Sequence, residues 1–140
     1  MVVFHVRKKL YLDIDLNYET HTKSAWRLKI MPNVFPEPIL NLPEADIPLE
    51  GVKAYLSQGK NYQIIFMEFE KDAEIPEHSH ESQWEIILEG KVDYWEEGVK
   101  YCYKKGDRFF IPKEKKHSAK VYAGYASIVF FNQKERYKKK

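Results

Sequence analysis

Between residues 61 and 132 the chain breaks into short runs in which β-branched and aromatic residues alternate with charged ones. The runs are NYQIIFMEFE (61–70), QWEIILEG (83–90), KVDYWEE (91–97), VKYCYKKG (99–106), DRFFIP (107–112), SAKVYA (118–123) and ASIVFFN (126–132). Alternation with period two places one side chain in two on the same face, which is the pattern of a half-buried strand. Lys71-Asp72, Glu97-Gly98, Lys105-Gly106, Pro112 and Gly124 punctuate the runs, and such residues mark turns. Helical periodicity is weak throughout. Many short strands at near-regular spacing predict an all-β sandwich or closed barrel.

The ends of the chain differ from its middle. LYLDIDL (10–16) and AWRLKI (25–30) are strand-like and stop just before the Pro-rich NVFPEPILNLPEADIP (33–48). Residues 1–30 are therefore expected to be an N-terminal strand extension, with His5 and His21 as surface residues. Residues 31–133 are expected to form the compact domain. Residues 134–140, with the run ERYKKK, are expected to be a basic tail that frays and aids solubility.

The remaining composition excludes several classes of function. A chain of 140 residues fits one domain. Twenty-three basic residues against twenty-one acidic ones leave no strong global field for nucleic acid or an anionic membrane surface. No apolar run reaches the ~18 residues of a membrane span, and no signal peptide is evident at the N-terminus. The single cysteine, Cys102, forms no intrachain disulfide; it is expected to be a small buried side chain in a reducing, cytoplasmic setting. No glycine-rich phosphate loop, nucleophile elbow or CxxC pair is present.

The chemistry is concentrated in HSHESQWEIILEG, residues 78–90. Residues two apart in a strand face the same side, so His78 and His80 can point together at one ion. Neutral imidazole suits Zn, Fe, Mn, Ni or Cu. If a strand runs from Gln83 to Glu89, then Gln83, Glu85 and Ile87 share one face and Trp84, Ile86 and Leu88 the other. A further ligand must come from elsewhere in the chain, and His117 follows the strand-like DRFFIP. Lys113, Lys115 and Lys116, just before it, are expected to form a solvated turn. Trp84, Tyr94, Trp95, Tyr101 and Tyr103 are expected to build a core or a dimer face.

These residues resemble the two motifs of the cupin superfamily. His78, His80 and Gly90 match the first motif, which pairs HxH with a later glutamate and closes on a glycine. Gly106, Pro112 and His117 fall at the spacing of the second, and fifteen residues lie between Gly90 and Gly106, as in compact single-domain microbial cupins. The resemblance covers roughly residues 34 to 132. There are departures. Asp72 stands where the first motif opens on glycine, and the segment from His80 to Gly90 is one residue short. Counting back from Gly90 puts Gln83 where the carboxylate ligand belongs. Glu114 replaces the glycine of PxG, and Val121 replaces a late asparagine.

The resemblance implies a double-stranded β-helix, the jelly-roll barrel of the cupins, with extra N-terminal strands. It implies one divalent metal (Fe, Mn, Zn or Ni) held by His78, His80 and His117, with Gln83 as fourth ligand. Homodimers are frequent in such a family. Glu85 should face inward beside the ion, as a ligand or as a catalytic acid or base. An amide oxygen leaves the charge of the ion uncompensated, which favours an anionic partner in the open positions. Two functions fit. One is a metal-dependent enzyme of dioxygenase, decarboxylase or isomerase type acting on a small organic molecule. The other is a non-catalytic module that binds a small anion or sugar, with its metal structural or absent.

Overall fold

The computed structural model describes residues 33–140. The extension expected over residues 1–30, with His5 and His21, lies outside the described residues. After a short helix, α1 (Glu37–Leu40), nine strands follow: β1 (Val52–Gln58), β2 (Gln63–Phe69), β3 (Ala73–His78), β4 (Gln83–Glu89), β5 (Lys91–Glu96), β6 (Val99–Lys104), β7 (Arg108–Ile111), β8 (His117–Val121) and β9 (Ala126–Phe131). They form a five-stranded sheet, β1-β2-β9-β4-β7, and a four-stranded sheet, β3-β8-β5-β6. Every pairing is antiparallel. This is a jelly roll. Among the described residues no helix is long and apolar enough to cross a membrane.

The alternation read from the sequence decides what lies between the sheets. Ile65, Met67 and Phe69 of β2, Ile87 of β4 and Val129 and Phe131 of β9 are buried from one side. Val92 of β5 and Val121 of β8 meet them from the other. Burial of this apolar surface is the main source of stability. Two strands were not expected. β1 follows the Pro-rich segment, which hides it. β3 carries Pro76, which cannot donate to a ladder. It is tolerated because β3 is a sheet edge and its register shifts between Ile75 and His78.

Two turns explain departures from the motifs. Asp72 accepts a hydrogen bond from the Ala123 N–H at 2.8 Å, so a side chain fixes the turn where glycine usually stands. Glu114 adopts φ = 61°, the left-handed conformation that the PxG glycine would supply without strain, and its N–H still reaches the His80 carbonyl at 2.8 Å. A non-glycine residue there costs about 1–2 kcal/mol. Glu114→Gly is therefore expected to raise stability by about 1 kcal/mol after the added freedom of the unfolded chain is subtracted. Urea denaturation measures this; a fall would mean that the carboxylate makes contacts that outweigh the strain. Gly90 is a stricter case. Its φ is 75°, and a Cβ there would come within 2.8 Å of the Tyr125 Cα.

Two expectations are corrected. Cys102 is exposed, not buried; it lies on the edge strand β6 opposite Asp93, on the outer face of its sheet. The last residues do not fray. Asp46 N–H donates to the Lys138 carbonyl and Lys140 N–H to the Glu44 carbonyl, while the buried amide of Gln63 exchanges two hydrogen bonds with the backbone of Tyr137, both at 2.9 Å. Apolar surface also lies outside the barrel. Trp84 and Phe110 are register partners on the outer face of the five-stranded sheet and are 39% and 60% exposed. Phe130, beside Trp84 on β9, stacks on Tyr62.

Candidate metal site

The β3–β8 ladder sets His78 opposite His117, and the chain returns His80 to the same mouth two residues later. The imidazole centroids of His78 and His117 lie 4.4 Å apart, and His80 lies 5.2 Å from the first and 4.8 Å from the second. Their ligand nitrogens all fall within 4.8 Å of one another. These three histidines could hold a metal ion.

Each ring is oriented by its own backbone. The Nδ1 of His78 is 2.9 Å from the Pro76 carbonyl, that of His80 is 2.6 Å from the Glu81 carbonyl, and that of His117 is 2.7 Å from the Lys115 carbonyl. A carbonyl oxygen only accepts, so Nδ1 must carry the proton. That leaves each Nε2 with a free lone pair, which is the tautomer a ligand needs. Burial lowers the His80 pKa to about 4. Burial also lowers that of His117. Both are therefore neutral at pH 7 and need lose no proton to bind an ion. Tyr94 stacks on His117, and Phe131 meets His80 edge-on.

The histidines form one wall of a cavity of about 110 Å³ between the sheets. Gln83 and Glu85 enter it from β4, and both are buried. The Gln83 amide donates to Glu85 Oε2 at 2.7 Å. The amide nitrogen is thereby spent on Glu85, which leaves Gln83 Oε1 out of that contact. The Tyr125 hydroxyl donates to Glu85 Oε1 at 2.6 Å. Burial raises the Glu85 pKa, against the opposing pull of these two hydrogen bonds. Glu85 is not part of the three-histidine cluster; it touches Gln83 instead. Apolar side chains, among them Met67, Phe69, Val92 and Val129, line the rest.

The turn before His117 is occupied by ion pairs. Lys113 pairs with Glu81 at 2.9 Å, and Lys115 pairs with Glu97. Three other cavity residues escaped the sequence reading. Tyr125 lies in the turn between β8 and β9, where no ligand pattern marks it. Arg136 and Tyr137 reach the cavity from the C-terminal segment, where a run of charges hid them.

A family model described as "Cupin domain" matches residues 65–124, the stretch that carries the HxH, Gly90, Gly106, Pro112 and His117. That stretch of the chain matches a cupin domain, in agreement with the jelly-roll order of its strands. Among solved structures it is similar to an RmlC-like cupin from Shewanella frigidimarina, with 27% identity and a TM-score of 0.58 over 67% of this chain and 86% of that one. It also resembles KdgF from a Halomonas species, with 19% identity and a TM-score of 0.56 over 65% and 87% of the two chains. A cupin superfamily protein from Desulfitobacterium hafniense matches with 18% identity and a TM-score of 0.56 over 71% and 92%. The last two likenesses speak to the fold alone. Among curated proteins none matches.

Proposed function

We propose that this protein is a metal-dependent enzyme acting on a small organic molecule. The observation that carries the reading is the shared tautomer: three Nδ1–H groups held by carbonyls, with three Nε2 lone pairs left for one ion. His78, His80 and His117 would hold the metal, and Gln83 Oε1 would be the fourth ligand. Bound there, Fe, Mn, Zn or Ni would supply Lewis-acid chemistry or, for the redox metals, dioxygen chemistry. Dioxygenase, decarboxylase and isomerase reactions all fit.

The protein's own part is more specific. Glu85 orients Gln83 through its Oε2 and is the group best suited to hold a proton, since burial raises its pKa while Tyr125 keeps it hydrogen-bonded. It is the candidate catalytic acid or base. The apolar walls keep bulk water from the reacting atoms.

Metal analysis of protein purified without chelators tests the reading. Near-stoichiometric iron, manganese, zinc or nickel is expected. Metal-free protein that still binds a small anion or sugar would support the non-catalytic module instead. Gln83→Glu should keep or strengthen metal binding, because a carboxylate is the stronger donor; loss of metal there would place Gln83 away from the ion.

The same reading includes a homodimer. The outer face of the five-stranded sheet carries Trp84, Phe110, Phe130, Ile128 and Ile86, with Arg108 at its edge. A contiguous apolar face with little charge suits isologous pairing with a second copy. Sedimentation should give twice the chain mass, and Phe110→Asp should shift the protein towards monomer. A monomeric wild-type protein would refute the dimer.

A further inference from the structure

The three-histidine cluster explains one wall of the cavity and leaves a cation on it unexplained. Arg136 lines the same cavity as His78, His80, Gln83 and Glu85. Its guanidinium carbon lies 4.7 Å from the centre of the Tyr137 ring and 5.7 Å from that of Phe131. Two aromatic faces thus hold the planar group in place. Among the described residues no carboxylate forms an ion pair with it. Its Nε is buried and has no hydrogen-bond partner. A buried donor left unpaired costs about 1–3 kcal/mol.

The charges in the cavity do not balance without a further anion. Three neutral imidazoles and one amide would leave a divalent ion with its full charge, and Arg136 adds another positive charge. Glu85 is the carboxylate on the cavity wall, and its oxygens already accept from Tyr125 and Gln83. A fork of N–H donors matches a carboxylate in two-point fashion. The cavity is small and largely apolar, which suits a compact organic acid better than a phosphate that needs many donors.

We infer that Arg136 is a substrate-binding residue, and that the small molecule taken by the site bears a carboxylate which the guanidinium receives beside the metal. The inference rests on the metal reading above.

The test uses the full chain loaded with Co²⁺, whose visible absorption reports the ion and its surroundings. Glycolate and its uncharged counterpart glycolamide serve as probes, with calorimetry as readout. The wild-type protein should bind glycolate more tightly than glycolamide by roughly ten- to a hundredfold, the range for hydrogen bonds to a charged group. Arg136→Gln should cut that preference by roughly tenfold, leaving the part due to the charge of the ion itself, while cobalt content and the spectrum of the probe-free protein stay unchanged, and Arg136→Lys should restore part of it. Equal preference in wild type and Arg136→Gln would overturn the inference, as would tighter binding of inorganic phosphate than of glycolate. Failure of the wild-type protein to take up cobalt would overturn the metal reading and this inference with it, an outcome distinct from cobalt binding without carboxylate preference.

Discussion

Replacing His117 by alanine is expected to abolish stoichiometric binding of a divalent ion, and His78→Ala should do the same. The two residues face each other across the β3–β8 ladder, and each offers a single Nε2. Apparent binding free energies of structural zinc sites are about 10–16 kcal/mol at neutral pH. Divided among four ligands, this is about 3–4 kcal/mol each, or two to three powers of ten in affinity. Metal content after desalting is the measurement. His117 is also buried against Tyr94, so alanine leaves a void and costs some stability of the metal-free protein. His117→Gln fills more of that space and separates the effects: it should fold and still lose the ion. Added metal should raise the melting temperature of wild type, because a ligand that binds only the folded state stabilises it by mass action, and should not do so in the variants. Undiminished metal in both His78→Ala and His117→Ala would remove the site.

Much of this fold is legible because alternation has a direct physical meaning. QIIFMEF and ASIVFF bury every second residue and pair with each other in a continuous register. A shift of one residue would turn all of those side chains to the wrong face. β3 was not legible, because AEIPEH is short, charged and carries a proline. Its strand character comes from pairing with β8, a tertiary contact with no local signature. Cys102 failed for a related reason. Alternation says which residues share a face, and it does not say whether the strand is a central one or an edge.

The site was legible at the histidines and less so around them. HxH and the distant His117 could be joined because the spacing of both motifs survives. The meaning of Gln83 and Glu85 was harder to reach, since the one-residue deletion puts two ligand-competent residues on one face. Their mutual hydrogen bond separates the two roles: the amide nitrogen is spent on Glu85, which frees the amide oxygen. Glu114 shows the opposite case, where the residue changed and the backbone did not. Its positive φ retains the turn that brings the chain back to His117.

Deleting residues 134–140 is expected to destabilise the protein by about 4 kcal/mol, against nothing for a solvated tail. Two losses set the size. Gln63 Oε1 is buried inside the barrel and accepts the Tyr137 N–H; left without it, that oxygen costs about 1–3 kcal/mol. The Tyr137 ring packs edge-on to Phe131 and lines the cavity, and uncovering such a side chain costs about 2 kcal/mol. At this chain length 1 kcal/mol corresponds to about 4 °C, so the melting temperature should fall by on the order of 15 °C. Tyr137→Ala, which keeps the backbone hydrogen bonds, should show roughly half of that. Replacing Lys138, Lys139 and Lys140 by glutamine should change little, since the lysines are exposed and an exposed ion pair such as Lys140 with Glu44 contributes at most about 1 kcal/mol. If the triple-glutamine variant is as damaging as the deletion, charge and not the Gln63–Tyr137 clasp holds the segment. If neither changes the melting temperature, the segment contributes nothing to the barrel. The expected order, deletion worse than Tyr137→Ala and both worse than the lysine changes, follows from where each lost atom sits. It also ties the segment that delivers Arg136 to the cavity to the stability of the barrel core.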